Sequence, residues 1–232
     1  KRQLQDYGAY FPDSSVNLSG VRMEASPDYL YSLTAVNIAH LLPQSKIVFI
    51  LRDPVERMVS WYKFALQKDL IEPSTGFEDY VNAQIGLTIL PDTPIHLQAL
   101  SQCCYENYLP AFRAAFGSRC LEIDFEDLTA APDKVVSRIC DFIDLDDDYF
   151  ANFEFQKENV SRVHSSAHAM RLYNVARRNI AQALRGNPKV ANILRAPNRA
   201  IKKLLTRNDS APAAIHVSKE VAERIVREVD RN

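Results

Sequence analysis

The sequence predicts an α/β fold, a three-layer αβα arrangement with a central parallel sheet and a helical C-terminal part, on three observations. The run Ile47-Val-Phe-Ile-Leu51 is continuously apolar and β-branched, too short for a helix, and bounded by charge at Lys46 and Arg52, as a strand buried on both faces is. Short strands alternate with amphipathic helical segments along the chain, and a parallel sheet covered on both faces accommodates that alternation. At 232 residues, 47% of them hydrophobic, the chain can bury a sizeable core as one domain.

The elements follow in order. Residues 1–20 are mixed and rich in turn formers, and 21–24 read as a short strand. The segment 32–42 places Ala35, Ile38, Ala39 and Leu42 on one helical face. After the strand at 47–51, Pro54 opens a helix over about 54–67, because its missing N–H costs nothing at the first helical position and its fixed φ suits the turn. Pro73-Ser-Thr-Gly76 breaks the chain before a helix over 77–85, and 86–94, with one glycine and two prolines, is a loop. A longer helix is expected over 95–116, ended by Gly117 as its C′ residue. A strand around 121–125 and a helix over 132–143 follow. The segment 170–207 carries basic residues from Arg177-Arg178 to Arg207 on a helical pattern. It reads either as a cationic rim for an acidic acceptor or as a solvated helical face. Residues 209–214 are a linker into a final helix over 218–229.

Composition excludes some classes. A net charge of −1 argues against a broad nucleic-acid face. No window approaches the roughly 18 apolar residues of a membrane span, and the start is not signal-like. Cys103, Cys104, Cys120 and Cys140 form no CxxC pair and no histidine cluster accompanies them, so they read as reduced core thiols with no metal site.

The chemistry concentrates where the strand at 47–51 runs into the helix at Pro54. Arg52 falls at the carboxyl end of that strand, where open α/β sheets gather ligands. Arg57 and Ser60 lie three apart on one side of the following helix. A guanidinium, a hydroxyl and helix-start N–H groups can converge on one phosphate. The same spacing also fits a packed βα turn in which Arg52 pairs with a carboxylate, and the residues alone leave both readings open.

This segment, with Arg52-Asp53-Pro54, Arg57 and Ser60-Trp61-Tyr62, resembles the 3′-phosphate-binding element of sulfotransferases that use 3′-phosphoadenosine 5′-phosphosulfate (PAPS). Upstream, Glu24-Ala-Ser-Pro27-Asp-Tyr29 resembles their Glu-x-[Ser/Thr]-Pro-x-Tyr segment. Downstream, Phe125-Glu126-Asp127-Leu128 resembles their Tyr-Glu-Asp-Leu turn, with phenylalanine in place of tyrosine. The resemblance implies a P-loop NTPase-like sulfotransferase fold. It implies sulfuryl transfer from PAPS to a hydroxyl of a carbohydrate, lipid or secondary metabolite, with 3′-phosphoadenosine 5′-phosphate (PAP) as product and no metal. It assigns Arg52 and Ser60 to the 3′-phosphate. Arg57 is the next candidate, with pairing to Glu56 or Asp53 as its alternative. Arg162 is the candidate for a late basic loop closing over the 3′-phosphate and adenine, with a plain surface-loop arginine as the alternative.

The family's phosphosulfate-binding loop and its Lys-Glu-x-x-[Phe/Tyr]-Phe segment are absent from these residues. The chain therefore reads as one sulfotransferase-like domain over 1–232, with a core over 1–160 and a basic helical region over 161–232, incomplete at both ends. The catalytic base is unassigned, with Glu24, His96 and His164 as candidates, and acceptor selectivity is expected in 86–96 and 162–173. The alternatives are a non-catalytic nucleotide-binding module of the same fold and a P-loop kinase-like phosphotransferase. The missing Gly-x-x-x-x-Gly-Lys-[Ser/Thr] counts against the kinase. The expected setting is the bacterial cytoplasm, or the Golgi lumen if an anchor is missing.

Overall fold

Strands β1 (Ile47–Leu51) and β2 (Cys120–Asp124) pair in parallel, with Ile47 opposite Cys120 and Leu51 opposite Asp124. The computed structural model describes residues 21–31, 34–150, 152–155 and 214–231. Its α-helices are α1 (Ala35–Leu41), α2 (Pro54–Gln67), α3 (Phe77–Asn82), α4 (Leu109–Phe116), α5 (Phe125–Ala130), α6 (Pro132–Ile143) and α7 (Lys219–Arg231). The chain divides into two units, one built from Lys1–Leu51 and Tyr108–Phe153, the other from Arg52–Asn107 and Glu154–Asn232.

In the first unit, α4 places Leu109, Phe112 and Phe116 at i, i+3 and i+7, and all three are buried. Phe112 meets the edge of Phe49 from β1 at a centroid distance of 5.0 Å, and Ile123 of β2 is buried in the same unit. Each such side chain stabilises the fold by about 1.5–3 kcal/mol. Polar ties surround this core. Arg113 forks onto both carboxylate oxygens of Glu122 at 2.7 and 2.8 Å, which holds that carboxyl below its ordinary pKa. Lys46 donates to the carbonyl of Phe142 at 2.7 Å and pairs with Asp144, which ends α6 in the left-handed region at φ 59°. Aspartate is among the few non-glycine residues that adopt that conformation readily.

In the second unit, Met58, Val59 and Ala65 of α2 pack with Phe77, Tyr80 and Val81 of α3, with Ala99, Leu100 and Cys103, and with Val221 and Ile225 of α7. Val221, Ile225 and Val229 recur every fourth residue, so α7 buries one stripe and leaves its charges outside. The buried Gln84 is satisfied at both ends. Its amide donates to the Tyr80 carbonyl at 3.0 Å, and its oxygen accepts from the Leu100 N–H at 3.0 Å.

Several expected elements form as read and others do not. Helices α2 and α6 occupy the expected 54–67 and 132–143, each with proline in its first turn. The expected strand at 21–24 is not formed: Val21 and Met23 are exposed, and no strand among the described residues pairs with them. The expected helix over 77–85 is cut to Phe77–Asn82 and closes in turns that reach Gly86 at φ 69°. The long helix over 95–116 is instead three short turns, Ile95–Leu97, Ser101–Cys103 and Tyr105–Asn107, followed by α4. Pro110 accounts for the break just before α4. Inside a continuous helix it removes one hydrogen bond and clashes with the carbonyl four residues back, whereas in the first turn of α4 it costs nothing. The segment 156–213, including the basic stretch from 170 to 207, lies outside the described residues.

Glu122→Gln is expected to show the Arg113 pair as a pH dependence. A depressed folded pKa contributes stability above the ordinary carboxylate value, and that stability is lost as pH falls through the folded value. The variant loses stability at neutral pH, and its stability changes less between neutral and acid pH than that of the wild type. Urea midpoints across that range check it.

Candidate functional site

The chain leaves β1 at Leu51 and enters α2 at Pro54 through only Arg52 and Asp53. Asp53 is the N-cap, accepting the Glu56 N–H on its side chain at 3.0 Å. Both backbone groups of Arg52 meet the hydroxyl of Tyr105. The Arg52 N–H donates to that oxygen at 3.3 Å, and the hydroxyl donates to the Arg52 carbonyl at 3.1 Å. Burial raises the Tyr105 pKa, an effect that Arg57 and the Arg52 hydrogen bond only partly offset, so the hydroxyl keeps its proton.

The two arginines have different surroundings. The Arg52 side chain is 31% exposed and donates to Glu56 at 3.2 Å, one helical turn on, and the Glu56 side chain is itself 57% exposed. Arg57 lies over the Tyr105 ring, 5.9 Å from its centroid, and donates to the buried Gln102 side chain at 3.1 Å. Cys103, in the same layer, has its thiol pushed up to about 12 by burial, which the neighbouring Arg57 does not overcome, so it remains a packed thiol. Ser60 is half-buried on α2, one turn beyond Arg57. Glu56, one of the two carboxylates open to Arg57 at the sequence level, meets Arg52, and Arg57 donates to Gln102 and lies over Tyr105.

The remaining candidates lie elsewhere. Glu24, in the first unit, accepts the Tyr29 hydroxyl at 3.1 Å, while Arg52, Arg57, Ser60 and His96 belong to the second unit. His96 sits in the Ile95–Leu97 turn with its carbonyl taken by the Tyr80 hydroxyl at 2.6 Å, and burial lowers its imidazole pKa. Arg162 and His164 lie outside the described residues. Tyr105 and Gln102 were not anticipated from the sequence. A continuous helix over 95–116 hides the turn that brings them to Arg52 and Arg57, and Pro110 was the available signal against that helix.

An arginine fixed by its backbone, half-exposed at its head and set at the junction of a parallel strand and a helix is suited to binding an anion. Residues 2–149 match the Sulfotransferase family, and the chain belongs to that family, a group of PAPS-dependent transferases. It is 28% identical over 156 residues to the mouse bifunctional heparan sulfate N-deacetylase/N-sulfotransferase 3, covering 64% of this chain and 17% of that protein. It is 30% identical over 154 residues to mouse bifunctional heparan sulfate N-deacetylase/N-sulfotransferase 4, covering 63% and 17%. The chain thus spans about one sixth of the length of these curated relatives. The crystal structure of a sulfotransferase from Alicyclobacillus acidocaldarius superposes with a TM-score of 0.51 at 22% identity, over 90% of this chain and 73% of that one, a likeness of fold. Among the described residues no helix is long and apolar enough to cross a membrane.

The cap is a separable part of this site. Asp53→Ala is expected to cost about 1 kcal/mol, and Asp53→Asn only a few tenths, since an asparagine oxygen caps equally well. Chemical-denaturation midpoints of the two variants compare them directly.

Proposed function

We propose that this chain carries the nucleotide-binding part of a sulfotransferase that moves a sulfuryl group from PAPS to a hydroxyl or amino group of a carbohydrate acceptor. The reading takes residues 1–232 as one sulfotransferase-like domain. Family membership supports the donor, and the printed activities of the relatives favour a glycan over a lipid or a small metabolite. One observation carries the site. The backbone of Arg52 is held by the Tyr105 hydroxyl while its side chain, 31% exposed, donates to the exposed carboxylate of Glu56.

In this reading Arg52 and Ser60 hold the 3′-phosphate, which distinguishes PAPS from ordinary adenine nucleotides. Arg57, committed to Gln102 and Tyr105, adds positive potential from behind. The N–H of Glu56 already serves Asp53, so the guanidinium and the hydroxyl carry more of the recognition than the helix start does. Arg162 is assigned to the loop over the adenine. PAPS supplies an activated sulfuryl group: as the acceptor oxygen or nitrogen bonds to sulfur, the sulfur–oxygen bond to the 5′-phosphate breaks and its electron pair leaves with PAP. The protein's work is to align the two substrates and neutralise charge. The acceptor proton passes to a base, for which Glu24, His96 and His164 are the candidates. The lowered pKa of His96 leaves it neutral and able to accept a proton at neutral pH. Leu87, Ile89, Leu90 and Ile95, exposed in and beside the 86–94 loop, offer an apolar face to the acceptor's ring carbons. The free thiols of Cys103, Cys104, Cys120 and Cys140 suit a reducing compartment such as the bacterial cytoplasm.

Calorimetry with PAP and adenosine 5′-phosphate tests the site. The chain is expected to prefer PAP, and Arg52→Ala to lose about 1.5–3 kcal/mol of PAP affinity, the size of a charge-assisted hydrogen bond. An equal affinity for the two nucleotides would sink the reading. Glu56→Gln is expected to act in the opposite direction. Removing the carboxylate that competes with phosphate for Arg52 tightens PAP binding by up to about fivefold, as an exposed ion pair worth ~1 kcal/mol allows.

A further inference from the structure

We infer that Tyr105, with Gln102 beside it, is the positioning residue of the anion site, setting where both arginines present their charge without touching the phosphate. This rests on Arg52 being the 3′-phosphate ligand. Arg52 lies in the link between β1 and α2, where its N–H and carbonyl both turn to one hydroxyl 53 residues away in sequence. A residue whose amide and carbonyl are both tied to the same oxygen has its φ and ψ fixed relative to that oxygen, and its side chain starts from a defined point. The same ring lies under Arg57 at 5.9 Å, and Gln102, three residues earlier, takes the Arg57 hydrogen bond at 3.1 Å. Two guanidinium groups five residues apart are therefore referenced to one aromatic side chain. The hydroxyl can serve both Arg52 groups because a protonated phenol donates to one and accepts from the other.

A tyrosine with a merely structural role would lower stability when altered and leave nucleotide selectivity alone. A positioning tyrosine governs the ratio of PAP to adenosine 5′-phosphate affinity, because only the 3′-phosphate meets Arg52. Both nucleotides are titrated calorimetrically into the full chain, into Tyr105→Phe, and into Ile225→Val, a lesion in the core of the same unit. Tyr105→Phe keeps the ring under Arg57 and removes both hydrogen bonds. It is expected to lower the ratio by about tenfold through the PAP arm, as small displacements of a binding group do, while Ile225→Val keeps the wild-type ratio. An unchanged ratio in Tyr105→Phe, beside an Arg52-dependent preference in the wild type, overturns this inference alone. A wild type without any preference overturns the proposed function and this inference together. If Tyr105→Phe does not fold, Gln102→Leu carries the test: a lowered ratio supports the positioning layer and a wild-type ratio overturns it.

Discussion

A strand that ends two residues before a helix begins leaves a residue whose backbone groups are completed by neither element, and here that residue is Arg52. Leaving a buried N–H or carbonyl unpaired costs about 1–3 kcal/mol, so the partner found for such a residue decides the conformation of the whole junction. The Tyr105 hydroxyl is that partner for both groups. It reaches the junction only because residues 95–107 wind as short separate turns, whereas a straight helix would carry Gln102 and Tyr105 to different places. Pro110 restarts the helix at α4 and permits those turns. Asp53 and Pro54 then open α2 in the ordinary way, one by capping and the other by its fixed φ.

The junction holds two arginines and two carboxylates, and their pairing follows exposure. Arg57 donates to the buried Gln102 amide oxygen and lies over the Tyr105 ring face. Arg52 donates to the exposed carboxylate of Glu56, an interaction worth at most about 1 kcal/mol in water. The difference separates two roles that the sequence alone cannot distinguish. A guanidinium against a buried amide and a ring is held in place, while an exposed ion pair contributes little that fixes its partners.

What was legible in the sequence follows the range of the forces involved. Strand β1 and helices α2 and α6 are specified within a few residues, by a β-branched apolar run and by a proline at each helix start, and they form where expected. Val21 to Glu24 had the composition of a strand, but a strand exists only with a neighbour to pair, and composition carries no information about neighbours. At the site, Arg52, Arg57 and Ser60 were readable because they share one short segment. Tyr105 and Gln102 were not, because their role is created by a fold-back across some fifty residues. The Gln102 hydrogen bond of Arg57 depends on the same fold-back.

The site's support extends to the last described helix. Helix α2 carries the junction at its first turn and, one to two turns later, buries Met58 and Val59 in the core that holds Val221 and Ile225 of α7. Arg224 ties the same helix to Glu78 and Asn82 of α3, and Glu228 is close enough to Cys104 to add to the rise that burial imposes on its thiol pKa. Helix α2 is a continuous fourteen-residue helix, so its capped first turn and its buried face belong to one element. The junction at Arg52 is built on the second unit's core as well as on the short segment that spells it.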